Sequence, residues 1–206
     1  MEDVSEKQSG WRGSRERWLQ AARTALIRHG ESAVKIQLLA TGLGLSRTSF
    51  YWFFKDRAAL LEALLDDWDQ RNSEAVIKAS RADAKSLTEA ALNLTRVFIS
   101  GEHFDTRLDF AVRGWGIRDE SVSDRVAQAD IVRTNAIADM LRRHGQSGPE
   151  AENRARLIYF SEVGRVATEL QESRAVRLAR VPWQVEVLTG SIPSEDEMAA
   201  FYREFE

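Results

Sequence analysis

The polar stretch Ser46-Arg47-Thr48-Ser49 carries side chains that are suited to binding another molecule through hydrogen bonds. An arginine guanidinium can donate two parallel hydrogen bonds to O6 and N7 of guanine, and hydroxyl groups can contact base edges or phosphate oxygens. Tyr51 follows, with a hydroxyl at the end of a long planar ring that suits a phosphate at the edge of a groove. The segment therefore has the donors for binding nucleic acid, provided that a scaffold holds them outward.

Three residues around this stretch have the spacing of a helix–turn–helix motif. Ala40 is small where two helices would cross, Gly44 tolerates the turn, and Phe50 would plug the second helix into the first. In such motifs the exposed N-terminal turn of the second helix enters the major groove of DNA. Because small, glycine and apolar residues often fall at these offsets by chance, the motif could also be only architecture in a helical enzyme or an interaction module.

Helical periodicity and a scarcity of proline predict an all-α protein. The prolines are Pro149, Pro182 and Pro193, and strand-like alternation of polar and apolar residues is scarce. Capping residues and glycines set the expected ends of the helices. The predicted helices are 14–29, 36–41, 46–53, 56 to about 79, 86–100, 106–115, 121–144, 150–174, 182–188 and 194–205.

Composition and charge restrict the kinds of site that the chain can hold. The chain has no cysteine, which rules out disulfides and thiolate metal sites and favours a reducing, cytoplasmic setting. No apolar run reaches the roughly 18 residues of a membrane span, and the polar N-terminus is unlike a signal peptide, so no membrane association is expected. The net charge is −3, but residues 1–60 hold ten Lys or Arg against six Asp or Glu. A basic N-terminal section on an acidic body suggests a local footprint for a polyanion.

Enzyme motifs are missing from the sequence. It contains no Gly-x-Ser-x-Gly elbow, no phosphate-binding Gly-Lys-Ser/Thr loop and no His-Glu-x-x-His zinc motif. The three histidines, His29, His103 and His144, are too scattered in the sequence to suggest metal ligation. The sequence therefore predicts a protein that is not an enzyme and that has no cofactor and no metal site.

Residues 15–65 resemble the N-terminal domain of the TetR family of bacterial transcription regulators. The resemblance rests on short motifs that align without insertion, namely Gly30, Leu39-Ala40, Gly44-Leu45-Ser46, Phe50-Tyr51, Phe53-Phe54 and Asp56-Arg57. Some positions depart from the family pattern. Val34 and Lys35 stand where the family often has Ser or Thr before the second helix. Phe53 replaces a usual His, and Arg57 replaces a usual Lys.

The resemblance implies a three-helix DNA-binding head joined to a larger helical domain that binds a small molecule and dimerises. The implied divisions are 1–13 for a disordered arm, 14–56 for the helix–turn–helix domain and 57–206 for the ligand-binding and dimerisation domain. Two heads would bind successive major grooves of a palindromic operator in double-stranded DNA. The predicted DNA-binding residues are Lys35, Ser46, Arg47, Thr48, Ser49, Tyr51, Lys55 and Arg57. Trp52 is expected to pack on the first helix, with stacking against a sugar as the alternative.

Two further sets of residues follow from the helices that form the pocket and the dimer interface in such folds. The predicted ligand-binding residues are Phe98, His103, Phe104, Phe110, Trp115 and Met140. The predicted dimer residues are Ala155, Ile158, Tyr159, Val163, Val166, Leu170 and Phe201. For both sets the alternative is packing in the core of one chain. The predicted function is a homodimeric transcription regulator, a repressor released from its operator by a small molecule that the sequence does not identify.

Overall fold

The computed structural model describes residues 14–168 and 172–206, and the predicted disordered arm lies outside them. All regular elements in these ranges are helices, which confirms the all-α prediction. The α-helices are α1 (Arg15–His29), α2 (Ile36–Leu43), α3 (Arg47–Phe50), α4 (Arg57–Arg81), α5 (Leu87–Ser100), α6 (Thr106–Gly116), α7 (Glu120–Arg143), α8 (Gly148–Ala167), α9 (Arg174–Thr189) and α10 (Glu195–Tyr202). Two short 3₁₀ turns, Glu31–Ala33 and Arg203–Phe205, complete the order. None of these helices is long and apolar enough to cross a membrane.

Local signals set the ends of the first helices much as predicted. The Ser14 hydroxyl accepts a hydrogen bond from the Arg17 amide at 3.2 Å and caps α1. Gly30, with φ of 78°, follows the last residue of α1. The third helix is shorter than predicted, because regular α-helix ends at Phe50 and the chain continues as a turn to Phe53.

The described residues fall into two compact units. The first unit comprises the described part of Met1–Trp68 together with Arg107–Ser123, and the second comprises Asp69–Thr106 together with the described part of Asp124–Glu206. Helix α4 contributes to both units, while most of α6 belongs to the first. The predicted domain division at residue 57 follows a different criterion, the end of the DNA-binding motif, and stays a prediction.

The first unit has an aromatic core with a buried polar edge. The fully buried side chains include Trp18, Phe50, Leu60 and Leu64. Arg23 of α1 forms an ion pair with Asp67 of α4, and both side chains are largely shielded from solvent. Next to it in sequence, the Trp68 indole donates to the Asp109 carboxylate at 2.9 Å. These polar contacts fix α1 and α6 against the first half of α4.

The second unit has two hydrophobic clusters. One joins α4, α5, α7 and α8, and the other joins α5, α9 and α10. The first cluster encloses a charged group, since Arg133 is fully buried and donates to the Ser73 hydroxyl and the Tyr159 hydroxyl, each at 3.0 Å. Tyr159 in turn donates to Asp130 at 2.7 Å. Hydrogen bonding of this kind makes a buried guanidinium tolerable.

Helix α7 begins with a different cap from the predicted one. The predicted helix begins at Ser121 as its capping residue. Instead the Asp119 carboxylate accepts hydrogen bonds from the amides of Ser121 at 3.1 Å and Val122 at 3.3 Å. Mainly because of a side-chain hydrogen bond from Ser121 and the Val122 amide, the pKa of Asp119 lies below its ordinary value.

The late helices differ most from the prediction. A single helix was predicted over 150–174, whereas α8 ends at Ala167 and a separate helix begins at Arg174. Pro182 was expected to open a short helix, but it lies inside α9. A proline inside a helix leaves the carbonyl four residues earlier without its amide donor. Here the Tyr202 hydroxyl donates to that carbonyl, on Leu178, at 3.3 Å.

Candidate nucleic-acid interface

The turn between α2 and α3 has the geometry that the motif requires. Gly44 is left-handed, with φ of 66° and ψ of 29°, a conformation that glycine adopts at little cost. The Leu45 amide then donates to the Ala40 carbonyl at 3.0 Å and closes the end of α2. On the far side of the turn Phe50 is fully buried and stacks on Phe54, with ring centroids 5.5 Å apart. Helix α3 is therefore anchored by its last residue.

The first turn of α3 faces solvent. The Ser46 hydroxyl accepts from the Ser49 amide at 3.3 Å, so Ser46 is the N-cap. Ser46, Arg47 and Thr48 are all exposed. Among the described residues the Arg47 guanidinium has no hydrogen-bond or ion-pair partner, so its donors are available to an external acceptor.

Ser49 does not face outward as expected. It is 6% exposed, and its hydroxyl donates to the Ser46 carbonyl at 2.9 Å. The reason is the rotation of the short helix, since Ser49 directly precedes the buried anchor Phe50. Its hydroxyl stabilises the turn rather than lying free on the surface.

The aromatic pair after α3 is largely exposed. Tyr51 is 58% exposed, and its ring is braced edge-on against Phe50 with centroids 5.3 Å apart. Trp52 is 69% exposed, which differs from the expected packing on the first helix. Residues 51–53 form a turn rather than a continuation of α3, and this turn sets the orientation of Trp52. Leu38 of α2 is exposed as well, at 57%.

The three predicted cations outside α3 have different surroundings. Lys35 is exposed and occupies the N-cap position of α2, where no side chain caps the helix. Lys55 is also exposed. Arg57 is half-buried and is held within the chain: its Nε donates to the Val34 carbonyl at 2.6 Å, and its Nη2 donates to the Glu31 carbonyl at 2.8 Å and contacts the Glu31 carboxylate.

Helix α4 begins close to these cations in sequence. The Asp56 carboxylate accepts from the Ala59 amide at 2.8 Å and caps the helix. Arg15 of α1 lies over the Phe54 ring, 5.2 Å from its centroid, which adds another positive charge to the first unit. The surface is rich in hydrogen-bond donors and positive charge, which suits binding of an anion.

The predicted ligand-binding residues are divided between the two units. Phe98, Phe104 and Met140 are buried in the first hydrophobic cluster of the second unit, where the two phenylalanine rings meet edge-on at 5.2 Å. Phe110 and Trp115 belong to the first unit. His103 is the one of the six that borders a described cavity within the second unit.

That cavity is an open groove of about 470 Å³ between the second half of α4 and α5. Its apolar lining includes Ala75, Ala79 and Val97. Its charged lining residues are Arg71, Glu74, Lys78, Arg96 and Glu102, and His103 lies beside them. Positive charges outnumber negative ones around an apolar floor, which suits an amphipathic anion.

A second groove, of about 490 Å³, lies on α8 and α9. Glu162 accepts from Arg165 at 2.9 Å and lies 3.8 Å from Arg177 within it. Burial lowers the pKa of the Arg177 guanidinium from its ordinary value. Trp183 and Val187 form its exposed apolar rim and are 67% and 82% exposed.

The predicted dimer residues are mostly interior. Ala155, Ile158, Tyr159 and Phe201 are buried in the core of one chain, so they have little surface to offer a second copy. For Ala155, Ile158 and Tyr159 the reason is the rotation of α8, which turns this stripe inward, whereas Phe201 packs in the other cluster from α10. Val163 and Val166 are partly buried, and Leu170 lies outside the described residues. The large apolar residues that are exposed on α8 and α9 are Leu157, Phe160, Val176, Trp183 and Val187.

Within residues 14–168 and 172–206, no group of three or more His, Asp or Glu side chains is placed to hold a metal ion.

Comparisons with known proteins place the fold. Residues 19–64 match the family model described as "Bacterial regulatory proteins, tetR family". No curated protein matches the sequence. Among solved structures, Salmonella enterica GusR shares 16% identity over 92% of this chain and 98% of its own, with a TM-score of 0.68. A "TerR/AcrR family" transcriptional regulator from Aquifex aeolicus VF5 shares 12% identity over 85% of this chain and 99% of its own, with a TM-score of 0.69.

A third structure of similar fold contains a ligand. The transcriptional regulator FadR from Bacillus subtilis, solved in complex with stearoyl-CoA, shares 16% identity over 87% of this chain and 100% of its own, with a TM-score of 0.64. At identities this low the three structures establish the fold, and the family match covers the N-terminal part.

Proposed function

The chain carries a tetR-family domain at residues 19–64, and from this premise we propose that it is a sequence-specific DNA-binding transcription regulator. It works in the bacterial cytoplasm as a homodimer, represses from a palindromic operator, and leaves that operator when a small molecule binds. Residues 14–56 are its DNA-binding domain, and residues 57–206 bind the ligand and dimerise. It is a regulator, not an enzyme.

One observation carries the proposal: an exposed Ser46-Arg47-Thr48 turn is held on a helix whose other end is locked in the core by Phe50. A rigid polar turn of this kind can read base edges in the major groove. Arg47 reads a guanine, and the hydroxyls of Ser46 and Thr48 contact bases or phosphates. Ser49 supports the turn from inside.

Phosphate contacts orient each head on the duplex and supply most of its salt-dependent affinity. We call Ser46-Arg47-Thr48 the reading turn. The exposed cations Lys35 and Lys55 bind phosphates on either side of it. The Tyr51 hydroxyl binds a phosphate at the groove edge, since its ring is already braced on Phe50. Trp52 stacks against the sugar-phosphate backbone with its exposed face.

The exposed apolar faces of α8 and α9 support dimerisation. A single head makes too few contacts for specific affinity, and two heads on a two-fold axis match a palindrome. Leu157, Phe160 and Trp183 are each more than half exposed, and apolar surface of this extent on adjoining helices favours a protein interface. A second copy of the chain covers this face and the groove beside it.

The groove between α4 and α5 is the place for the effector. The solved FadR relative binds stearoyl-CoA, which supports a small-molecule response in this fold. The His103 side chain borders the groove, whereas Phe98, Phe104 and Met140 are buried in the hydrophobic cluster that also contains Ala75 of the groove lining. A ligand here lowers operator affinity only by binding one conformation of the dimer more tightly than the other.

Selection of bound duplexes from a random double-stranded DNA library tests the function. The expected product is a palindrome whose half-sites lie about 10 base pairs apart, or a multiple of that. The control is the same chain with Arg47 and Lys35 both changed to Ala, which should bind DNA more weakly and lose the base preference at the position that Arg47 reads. If the wild-type chain retains no DNA even at low salt, where non-specific binding appears, the proposal is wrong and the motif is only architecture.

A further inference from the structure

Arg57, the first residue of α4, binds a segment that lies more than twenty residues earlier in the sequence. It contacts three acceptors of one short segment: the carbonyls of Glu31 and Val34 and the Glu31 carboxylate. These residues form the 3₁₀ turn and its exit between α1 and α2. We call this set of contacts the Arg57 latch. A planar guanidinium suits such a multi-point contact, because its donors point in fixed directions.

Arg57 lies at a position where a positive charge is unfavourable, so attraction to DNA phosphates alone does not account for an arginine there. Arg57 is the first residue of α4, where the helix dipole disfavours a positive charge. The Glu31 carboxylate offsets that charge, and Nε and Nη2 already donate to Val34 and Glu31, which leaves only the Nη1 donors for a phosphate. In the latch, the Arg57 guanidinium therefore binds residues of its own chain rather than DNA.

The latch also fixes the segment that leads into α2, a helix that has no side-chain cap. No side chain caps α2, because Lys35 stands at its N-cap and has no short hydroxyl or carboxylate to bind the free amides. The latch instead holds the preceding carbonyls, and the Val34 side chain is fully buried beside them. Fixing residues 31–34 fixes where Lys35 and the first turn of α2 lie relative to α4.

We propose that Arg57 and Glu31 are positioning residues for the DNA-binding head: the latch sets the start of α2 so that Lys35 and the reading turn of α3 present their donors together. The proposal rests on the proposed DNA-binding function. It assigns the phosphate contacts near the starts of α2 and α4 to Lys35 and Lys55. Arg57, which the sequence predicted to bind DNA, then positions the head instead of contacting DNA directly.

Substitution of Glu31 gives a test in which the two interpretations differ in sign. Glu31→Ala removes a negative charge from the DNA-binding unit, so electrostatics alone predicts tighter binding. The latch predicts binding about tenfold weaker, because a charge-assisted hydrogen bond is broken and the start of α2 loosens. The matched control is Glu16→Ala, which removes the same charge from an exposed position in the first turn of α1. This control should bind DNA at least as tightly as the wild type.

Arg57→Lys gives the second arm, since it keeps the charge but cannot span three acceptors. The latch predicts that it weakens DNA binding to a similar degree, whereas a phosphate contact would keep near wild-type affinity. The proposal is overturned if Glu31→Ala binds DNA as tightly as Glu16→Ala does. If Glu31→Ala loses its helical circular dichroism and so does not fold, the proposal is overturned when Arg57→Lys binds DNA as tightly as the wild type.

Amide hydrogen exchange separates failure of the latch from failure of the proposed function. The latch predicts faster exchange at residues 33–39 in Glu31→Ala and no change there in Glu16→Ala, whether or not DNA binds. If Glu31→Ala exchanges faster but the wild-type chain binds no DNA, the latch remains as a structural contact and its role in DNA binding is excluded. Unchanged exchange in Glu31→Ala would overturn the latch itself.

Discussion

The Phe50 ring packs edge-on against the Trp18 ring, with centroids 5.3 Å apart and an interplanar angle of 79°. Both side chains are fully buried. Helix α3 has four residues, too few to be stable alone. This aromatic pair therefore supplies the order that the helix itself cannot, and it links the reading turn to α1.

Phe50→Ala should destabilise the first unit by about 3–5 kcal/mol, the range for deleting a buried phenylalanine. DNA binding should fall because the reading turn loses its anchor. Thermal unfolding followed by circular dichroism and a binding titration measure the two effects. Tyr51→Phe is the control, since it keeps the ring on Phe50 and should leave stability unchanged. Retention of both stability and binding by Phe50→Ala would contradict the anchoring role.

Arg47→Ala should relax base preference at one position of the half-site and cost roughly 1–3 kcal/mol of specific binding. Arg28→Ala removes the same charge from the exposed end of α1, outside the 45–54 segment, and should leave the selected sequence unchanged. Library selection with each variant shows the difference. An unaltered consensus for Arg47→Ala would exclude base reading by this side chain.

Lys35→Ala should weaken binding to all sequences alike, because a phosphate contact carries no sequence information. The slope of log affinity against log salt should fall by about 0.9 for each phosphate that a head no longer neutralises. Fluorescence anisotropy titrations at several salt concentrations measure that slope. A changed consensus with an unchanged slope would assign Lys35 to a base instead.

The head was predictable because its interactions are local. Ala40, Gly44 and Phe50 lie within a short stretch of chain, so residue type and spacing nearly determine the turn. The burial of Ser49 and the exposure of Trp52 were not predictable, because both depend on how the short helix α3 is rotated about Phe50. A difference of one residue in that rotation exchanges a buried hydroxyl for an exposed one.

The late helices were harder to predict because they depend on distant partners. Pro182 ends or opens a helix in most contexts, and nothing near it in sequence shows that the Tyr202 hydroxyl will take up the Leu178 carbonyl. Likewise, an apolar stripe such as the one through Ala155 and Ile158 is expected whether that face of α8 packs in the core or against a second copy of the chain. Only packing against α4 and α7 decides that it faces the core.

Leu157→Glu should convert the proposed dimer to a monomer, because it places a charge in the middle of the apolar face of α8. Ile192→Glu is a matched control, since both side chains are 65% exposed but Ile192 lies outside α8 and α9. Sedimentation velocity should show the smaller species for Leu157→Glu alone, and its operator affinity should fall with it. A dimer that survives Leu157→Glu would exclude this face as the interface.

Glu197 should make the docking of α10 dependent on pH. Its carboxylate accepts from the Ser86 hydroxyl, from the Thr88 hydroxyl at 2.9 Å and from the Ser194 amide at 2.7 Å. Burial alone would raise the pKa of Glu197, but these hydrogen bonds outweigh it and lower the pKa below the ordinary value of 4.5. The ionised form is thus favoured by folding. Its contribution is complete above the ordinary pKa and is lost as the pH falls through the lower, folded pKa.

Glu197→Gln should therefore be less stable than the wild type at pH 7, by about 1 kcal/mol or somewhat more. The difference should shrink as the pH falls below 4.5, where the wild-type carboxyl takes up its proton. Urea unfolding at several pH values measures both variants. Glu195→Gln, on the first turn of the same helix, is the control and should show a smaller difference at pH 7. A stability difference for Glu197→Gln that is constant from pH 7 to pH 3 would show that the ionised carboxylate does not hold α10 to α5.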